Sequence, residues 1–259
     1  MEAKPKIAIR ELHQSEIHTF LKCGKMWEFR YVQGIKTPPR AALTVGRAVD
    51  TAITQNLAQK IETGTDLKES DVLDACASDF DKTSPETEWL DDVPGEQKDV
   101  AISCVKAHYK EIAPLIQPET VQEKFILETS AGYNLGGTID IIDKAGKVRD
   151  SKTSKGKYAE DAVFRAIQPA LYDFAYEALR GKPSAGFAYD VMIKPTKTIP
   201  ARAQVIEAKV TQDDRNWLFD TIHNVDKAMR AGVALPAPDG SWWCSEKWCG
   251  YWSRCKGKK

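Results

Sequence analysis

Residues 136–152 read GGTIDIIDKAGKVRDSK, with Asp140 ten residues before Asp150 and Lys152 two residues after it. Positions two apart on a β-strand share a face. A hairpin pairing the two segments would therefore gather both carboxylates and the ammonium at one edge of a sheet. Hard carboxylate oxygens suit Mg2+ or Mn2+, and a neighbouring lysine can orient or deprotonate a water for in-line attack on phosphorus. The same spacing also fits solvent-facing strand-end acids, with Asp150 paired to Lys152 or Lys155. Further along, Gln168 and Tyr172 stand at i and i+4 of a helical segment and share one of its faces. A surface glutamine beside a half-buried tyrosine has that spacing too. The order D, then D-x-K, then Q-x-x-x-Y is harder to dismiss than any one of its parts.

Six cysteines form a second group of reactive side chains. Cys244, Cys249 and Cys255 lie in WWCSEKWCGYWSRCKG, separated by four and five residues. A fourth ligand would have to come from far away in sequence. Cys23, in a polar and aromatic context, is the best candidate. Cys76 and Cys104 sit among apolar neighbours on helical segments and read as small buried hydrophobes. Four thiolates suit Zn2+ or an iron-sulfur cluster. A ligand set drawn from both ends of the sequence would staple the first helices to the tail, because metal-binding free energy becomes folding free energy.

These groups need elements to position them. Apolar spacing predicts two short helical pieces over 15–32 meeting near Cys23, with Ser15 as N-cap, then helices over 42–61, 66–81 and 95–116. Runs rich in β-formers over 121–130, 134–143 and 147–151 predict a three-stranded antiparallel meander. A long amphipathic helix follows over 159–180, then strands over 185–193 and 204–210 and a helix over 211–231. The reading is one domain, 1–259: a mainly helical part to 118, a core over 119–235, and a cysteine-rich segment over 236–259.

Composition sets the bounds. The 259 residues carry 37 Lys+Arg against 37 Asp+Glu, and 42% are hydrophobic, which excludes a disordered or collagen-like chain. No apolar run approaches a membrane span, and the first twenty residues mix charges throughout, so no membrane partner and a cytoplasmic location are expected. The net charge of zero hides an uneven distribution. Over 144–157 there are six cations, Lys144, Lys147, Arg149, Lys152, Lys155 and Lys157, against Asp150 alone, a net +5. Lys194 and Lys197 would extend that track along phosphates. Trp242, Trp243, Trp248 and Trp252 could stack bases, although packing around the cysteines is the more ordinary use of most of them.

Together, SEIHTFLKCGKMWEFRY, GRAVDTAI, GGTIDIID, VRDSKTSK, QPALY and CSEKWCGYWSRC resemble the RecB-type branch of the PD-(D/E)xK nucleases. The resemblance is closest to its iron-sulfur members, which include CRISPR-adaptation nucleases, AddB-type helicase-nucleases and phage exonucleases. It implies an α/β fold with a restriction-endonuclease-like core, a central mixed sheet flanked by helices, an N-terminal helical region and a C-terminal cluster-binding tail. It implies Asp140 and Asp150 as ligands of Mg2+ or Mn2+, Lys152 as the catalytic lysine, and Gln168 and Tyr172 as catalytic and DNA-positioning groups. Lys155 and Lys157 join Tyr172 as DNA contacts, and Cys23, Cys244, Cys249 and Cys255 become ligands of a 4Fe-4S cluster, with Zn2+ as the alternative. The implied activity is metal-dependent exonuclease action on single-stranded DNA or DNA ends, in phage or prokaryotic recombination, repair or CRISPR-type processing. A recombinase or other recombination protein would be a partner, in the host cytoplasm if the gene is carried by a phage.

Two residues depart from the pattern. Asp50 follows Gly46 where relatives carry a metal-binding histidine; an aspartate is itself a hard ligand, or else a surface residue of a site with fewer metals. The first two tail cysteines also have four residues between them where many relatives have two. A DNA-end-binding accessory protein with a decayed site is the alternative that Asp50 keeps open.

Overall fold

The computed structural model describes residues 10–255; the outermost parts of the expected domain and tail, 1–9 and 256–259, lie outside the described residues. The chain opens with β1 (Arg10–His13) and runs directly into α1 (Gln14–Lys22), then α2 (Gly24–Trp27) and a π-helical turn over Glu28–Val32. His13, not Ser15, is the N-cap. Ser15 lies inside the helix, where its carbonyl accepts the Thr19 hydroxyl at 2.7 Å. Three helices follow, α3 (Ala41–Thr63), α4 (Glu69–Thr83) and α5 (Pro94–Glu111). They close on a core that includes Val45, Val49, Leu57, Phe80 and Val105, with Cys76 and Cys104 fully buried in it. Burial pushes the Cys76 thiol up to about 12 and the Cys104 thiol up to about 11, as befits core residues.

The strands β2 (Pro118–Glu128), β3 (Tyr133–Asp143) and β4 (Lys147–Ser154) form the expected antiparallel meander. The segment predicted as one helix over 159–180 is broken. A 3-10 turn over Glu160–Arg165 ends at Ala166, whose extended backbone caps α6 (Ile167–Arg180). Then come β5 (Gly186–Ile193), parallel to β4, β6 (Arg202–Ala208), antiparallel to β5, and α7 (Gln212–Arg230). Helix α7 starts with a capping box in which Thr211 Oγ1 accepts the Asp214 amide at 3.2 Å and Asp214 accepts the Thr211 amide at 2.7 Å.

The six strands form one mixed sheet, the arrangement the resemblance implied. One face carries Val148, Phe187, Tyr189 and Val191 against α1, α6 and α7; the other carries Ile141 and Met192 against α3 and α5. β3 is the pivot. Along one edge it pairs with β2 for nearly its whole length. Its other edge is divided: β1 pairs in parallel with 133–136, and β4 pairs in antiparallel only at Ile141↔Arg149 and Ile142↔Val148. Residues 137–140 of that edge therefore have no ladder partner, and the chemistry-bearing residues surround this opening.

The tail folds back onto α1 and α2. The Lys25 amide donates to the Leu235 carbonyl at 3.2 Å, and Tyr251 donates to the Ile35 carbonyl at 2.8 Å while its ring stacks on Phe29. Gly24 makes this approach possible, since a Cβ there would lie 2.7 Å from the Leu235 backbone nitrogen. Among the described residues no helix is long and apolar enough to cross a membrane.

Candidate active site

Continuing the β3–β4 register by one residue would set Asp140 opposite Asp150. The strands splay here instead, and the amide of Ser151 donates to Asp140 Oδ2 at 3.3 Å in place of a ladder bond. Asp150, 1% exposed, accepts from Gln168 Nε2 at 2.6 Å through Oδ1. Its Oδ2 lies 2.5 Å from Lys152 Nζ as an ion pair, yet no well-oriented hydrogen-bond donor reaches that buried oxygen among the described residues. Gln168 is the second residue of α6, and its Nε2 also contacts the Tyr172 hydroxyl at 3.1 Å, so one amide ties the i and i+4 groups to the metal-type carboxylate. The Phe125 ring packs edge-on to Tyr172 at 6.1 Å and lies directly over Gly137. A Cβ at Gly137 would meet that ring at 2.6 Å, which accounts for the glycine just ahead of Asp140.

Asp50 comes from the opposite layer, on α3. Gln122 Nε2 approaches both its carboxylate oxygens, at 3.4 and 3.5 Å, from a backbone φ of +52°. Burial, then the Asp150 carboxylate, push Asp50 up to about 6. Asp140 is held well above the usual carboxylate range by burial first, then by Asp150 and Asp50. Three acids thus repel one another in a partly closed space. Lys152 shows the complementary response: burial works against its charge, but Asp150 and Asp140 outweigh burial and the net direction is upward. With both carboxylates beside it, the Lys152 side chain is placed to orient a water or an anionic oxygen.

The donor set fits a divalent cation. It has three hard-oxygen side chains, two of them with pKa values raised by burial and then by the neighbouring carboxylates. Among the described residues no three His, Cys, Asp or Glu side chains are gathered tightly enough to hold a metal as they stand. That holds for the thiols as well, although Cys23, Cys244, Cys249 and Cys255 all line one small cavity beside Met26, Phe29 and Tyr251. All four are free, Cys23 Sγ accepts the Met26 amide at 3.4 Å, and burial, offset in part by the Tyr251 amide, raises the Cys249 thiol.

The basic run is corrected by its own strand. Lys147 pairs with Glu207 at 2.6 Å, Arg149 is buried against Asp190, and Lys152 is taken by Asp150. Half of the six cations are thus consumed inside the fold, and Lys155 and Lys157, in the loop after β4, are the ones left near the site for phosphates. Several neighbours went unnoticed in the sequence. Gln122 holds Asp50; Tyr189 lies opposite Asp150 in register, with Lys152 Nζ 5.8 Å from its ring; and His18, on α1, is close enough to feel the Lys152 charge. Strand register would have pointed to Tyr189, but nothing local marks Gln122.

A pH dependence follows from Asp50. Its folded pKa lies above the ordinary 3.8, so the stability it contributes is complete below about pH 4 and is lost as pH rises through about 6. Two units correspond to roughly 3 kcal/mol. In chelator, thermal melts between pH 4 and 7.5 should show wild type losing stability over that range more steeply than Asp50→Asn; parallel curves would contradict the placement of this carboxylate.

Among curated proteins none is similar enough to match. A solved structure described as a candidate exonuclease from Eubacterium rectale superposes with a TM-score of 0.57 at 15% identity, covering 96% of this chain and 92% of its own. A second, of the protein SSO0001, covers 100% of this chain and 90% of its own at 11% identity; with a TM-score of 0.45 it is too distant to support a conclusion. The family model of the PD-(D/E)XK nuclease superfamily matches residues 11–256, from β1 through the divided edge of β3 and the Asp150–Lys152 strand to the last cysteine, and the chain belongs to that superfamily.

Proposed function

We propose that this nuclease is a metal-dependent exonuclease that hydrolyses DNA from single strands or ends. The observation that carries the reading is the convergence of Asp50, Asp140 and Asp150 around Lys152. Nucleases of this superfamily usually use Mg2+ or Mn2+, and these three aspartates are the groups that would hold such ions. When bound, the ion would supply charge stabilisation at the phosphate and a more acidic water. The protein's own groups do the rest. Lys152 orients water and balances charge building on phosphate oxygens. Gln168 fixes the Asp150 rotamer through Oδ1, which turns Oδ2 toward Lys152, and Tyr172 holds Gln168. Exposed Lys155 and Lys157 would contact the DNA backbone. Trimming of this kind would serve phage or prokaryotic recombination, repair or CRISPR-type processing, with a recombination protein as partner.

The four cysteines would hold a 4Fe-4S cluster, with Zn2+ as the alternative. What supports this is a cavity lined by four free thiols from both ends of the described chain and by no carboxylate.

One preparation tests both parts. End-labelled single- and double-stranded DNA, incubated with the purified protein in Mn2+ or Mg2+ and separately in chelator, should be shortened stepwise only when metal is present. An intact label pattern with retained binding would favour the accessory-protein alternative. Visible absorbance and acid-labile sulfide in anaerobically purified protein are expected for the cluster, whereas stoichiometric zinc in a colourless protein would reject it.

A further inference from the structure

Beyond the carboxylates, the end of β4 runs into a groove enclosing about 340 Å³ between the start of α3, the 88–92 loop, the residues after β5 and the tail. Lys152 and Lys155 are about 10 Å apart along the strand direction, at 3.3 Å per residue, so the groove begins next to the candidate site. Its walls are rich in charge, and most of that charge is spent. Arg40 reaches Glu88 at 3.1 Å and Lys247 reaches Asp91 at 3.4 Å. Lys155 and Lys194 remain. Neither has a carboxylate at ion-pair distance among the described residues, and the Lys194 amide bonded to the Ser154 carbonyl at 2.8 Å holds the two segments side by side. Burial lowers the Lys194 pKa and the Lys155 charge adds to the effect, while Cys104 and Asp92, the latter also in the groove wall, oppose it.

Aromatic rings continue from these cations. Lys155 Nζ stands 5.8 Å from the Trp248 ring; Trp248 meets Trp242 edge-to-face at 5.2 Å; Trp242 meets Trp243 at 5.7 Å; and Lys22 Nζ stands 5.7 Å from Trp243. The sequence suggested that most of these rings would be packing material. Yet Trp242 is 64% and Trp248 41% exposed. An exposed row of indoles bracketed by lysines is the arrangement on which unpaired bases stack while their phosphates are neutralised. Bases inside a duplex offer no free face to such a row.

We propose that this groove is a binding site for single-stranded DNA, in which Trp248 in its wall and Trp242 beside it stack an unpaired base while Lys155 and Lys194 hold the adjoining phosphates. It deepens the nuclease reading, on which it rests for the identity of the bound polymer, by naming the residues that select single strands over duplex.

The test is binding in chelator, so that no turnover is involved. Fluorescence anisotropy with a labelled dT20 oligonucleotide and a blunt 20-bp duplex is measured for wild type, Trp248→Ala, Trp248→Phe and Lys194→Gln. Trp248→Ala should weaken dT20 binding roughly tenfold and leave duplex binding unchanged, and Trp248→Phe should keep most of the affinity. Lys194→Gln should flatten the salt dependence on dT20 by about 0.7 in the log–log slope, the loss of one phosphate contact on a single strand. Unchanged dT20 affinity in Trp248→Ala, or an equal loss on duplex, overturns the proposal. The two readings fail separately. A wild type that digests DNA while Trp248→Ala binds normally removes the groove and keeps the nuclease. A Trp248-sensitive strand binder that digests nothing keeps the groove and removes the nuclease.

Discussion

Asp150→Asn should lower metal-dependent DNA digestion by roughly 10³-fold or more while the protein stays folded, because electrostatic stabilisation at a phosphoryl centre is commonly worth several kcal/mol. Asparagine can still accept from Gln168, the 2.6 Å contact that orients the side chain. What it removes is the negative charge that faces Lys152, 2.5 Å from Oδ2. The same charge helps to hold Asp140 and Asp50 above their ordinary pKa values, so its loss relaxes repulsion among the acids. The Asp150–Lys152 ion pair at 2.5 Å is lost at the same time, with Asp140 left as a counter-charge, so melting temperature in chelator should change far less than activity does. That divergence separates a reacting group from a structural one, since a purely structural aspartate at 1% exposure would show the opposite balance. Near-wild-type digestion by the variant would remove Asp150 from the proposed role.

The largest stability effect is expected on the neighbouring strand. Arg149 donates to Asp190 from Nε at 2.8 Å and from Nη2 at 2.6 Å, a bidentate pair with Asp190 at 0% and Arg149 at 4% exposure. Asp190→Ala leaves a guanidinium buried in the sheet with Asp143, 4.0 Å away, and the more distant Glu207 as counter-charges. Stranding one member of such a pair costs about 3–5 kcal/mol, whereas replacing both with apolar residues of similar volume is often nearly neutral. Urea denaturation should accordingly show Asp190→Ala far below wild type and Arg149→Met combined with Asp190→Leu much closer to it. Similar losses in single and double variants would mean that packing, not charge pairing, dominates here.

How much of this was legible in advance depended on whether the signal was local. The meander and the helices α3, α5 and α7 carry their own periodicity, and structure reproduces them with shifts at the ends. β1 was invisible, because RELH has no strand signature and is extended only because the edge of β3 accepts it. The break at Ala166 was missed for a related reason: apolar spacing runs through it, and the extended conformation there is decided by α6 docking so that Gln168 reaches Asp150. Charge was misread in bulk. A count over 144–157 could not reveal that alternation along β4 turns Arg149 into the sheet and Lys152 onto Asp150. Asp50 is the converse case. Its type and its spacing from Gly46 drew notice only through resemblance, yet its carboxylate is among the groups that press on Asp140.

Two hydrophobic cores lie on opposite faces of the sheet, and the acids do not all belong to one of them. Asp50 rides on α3, anchored in the core of Val45, Val49 and Phe80, while Gln168, which orients Asp150, rides on α6 above Leu171 and Tyr189. The spacing of the three acids is therefore set by how α3 and α6 each seat on the shared sheet, not by the packing within either core alone. A substitution in either core that tilts its helix would reach the acids from a distance, which makes the sheet the common reference for both halves of the candidate site.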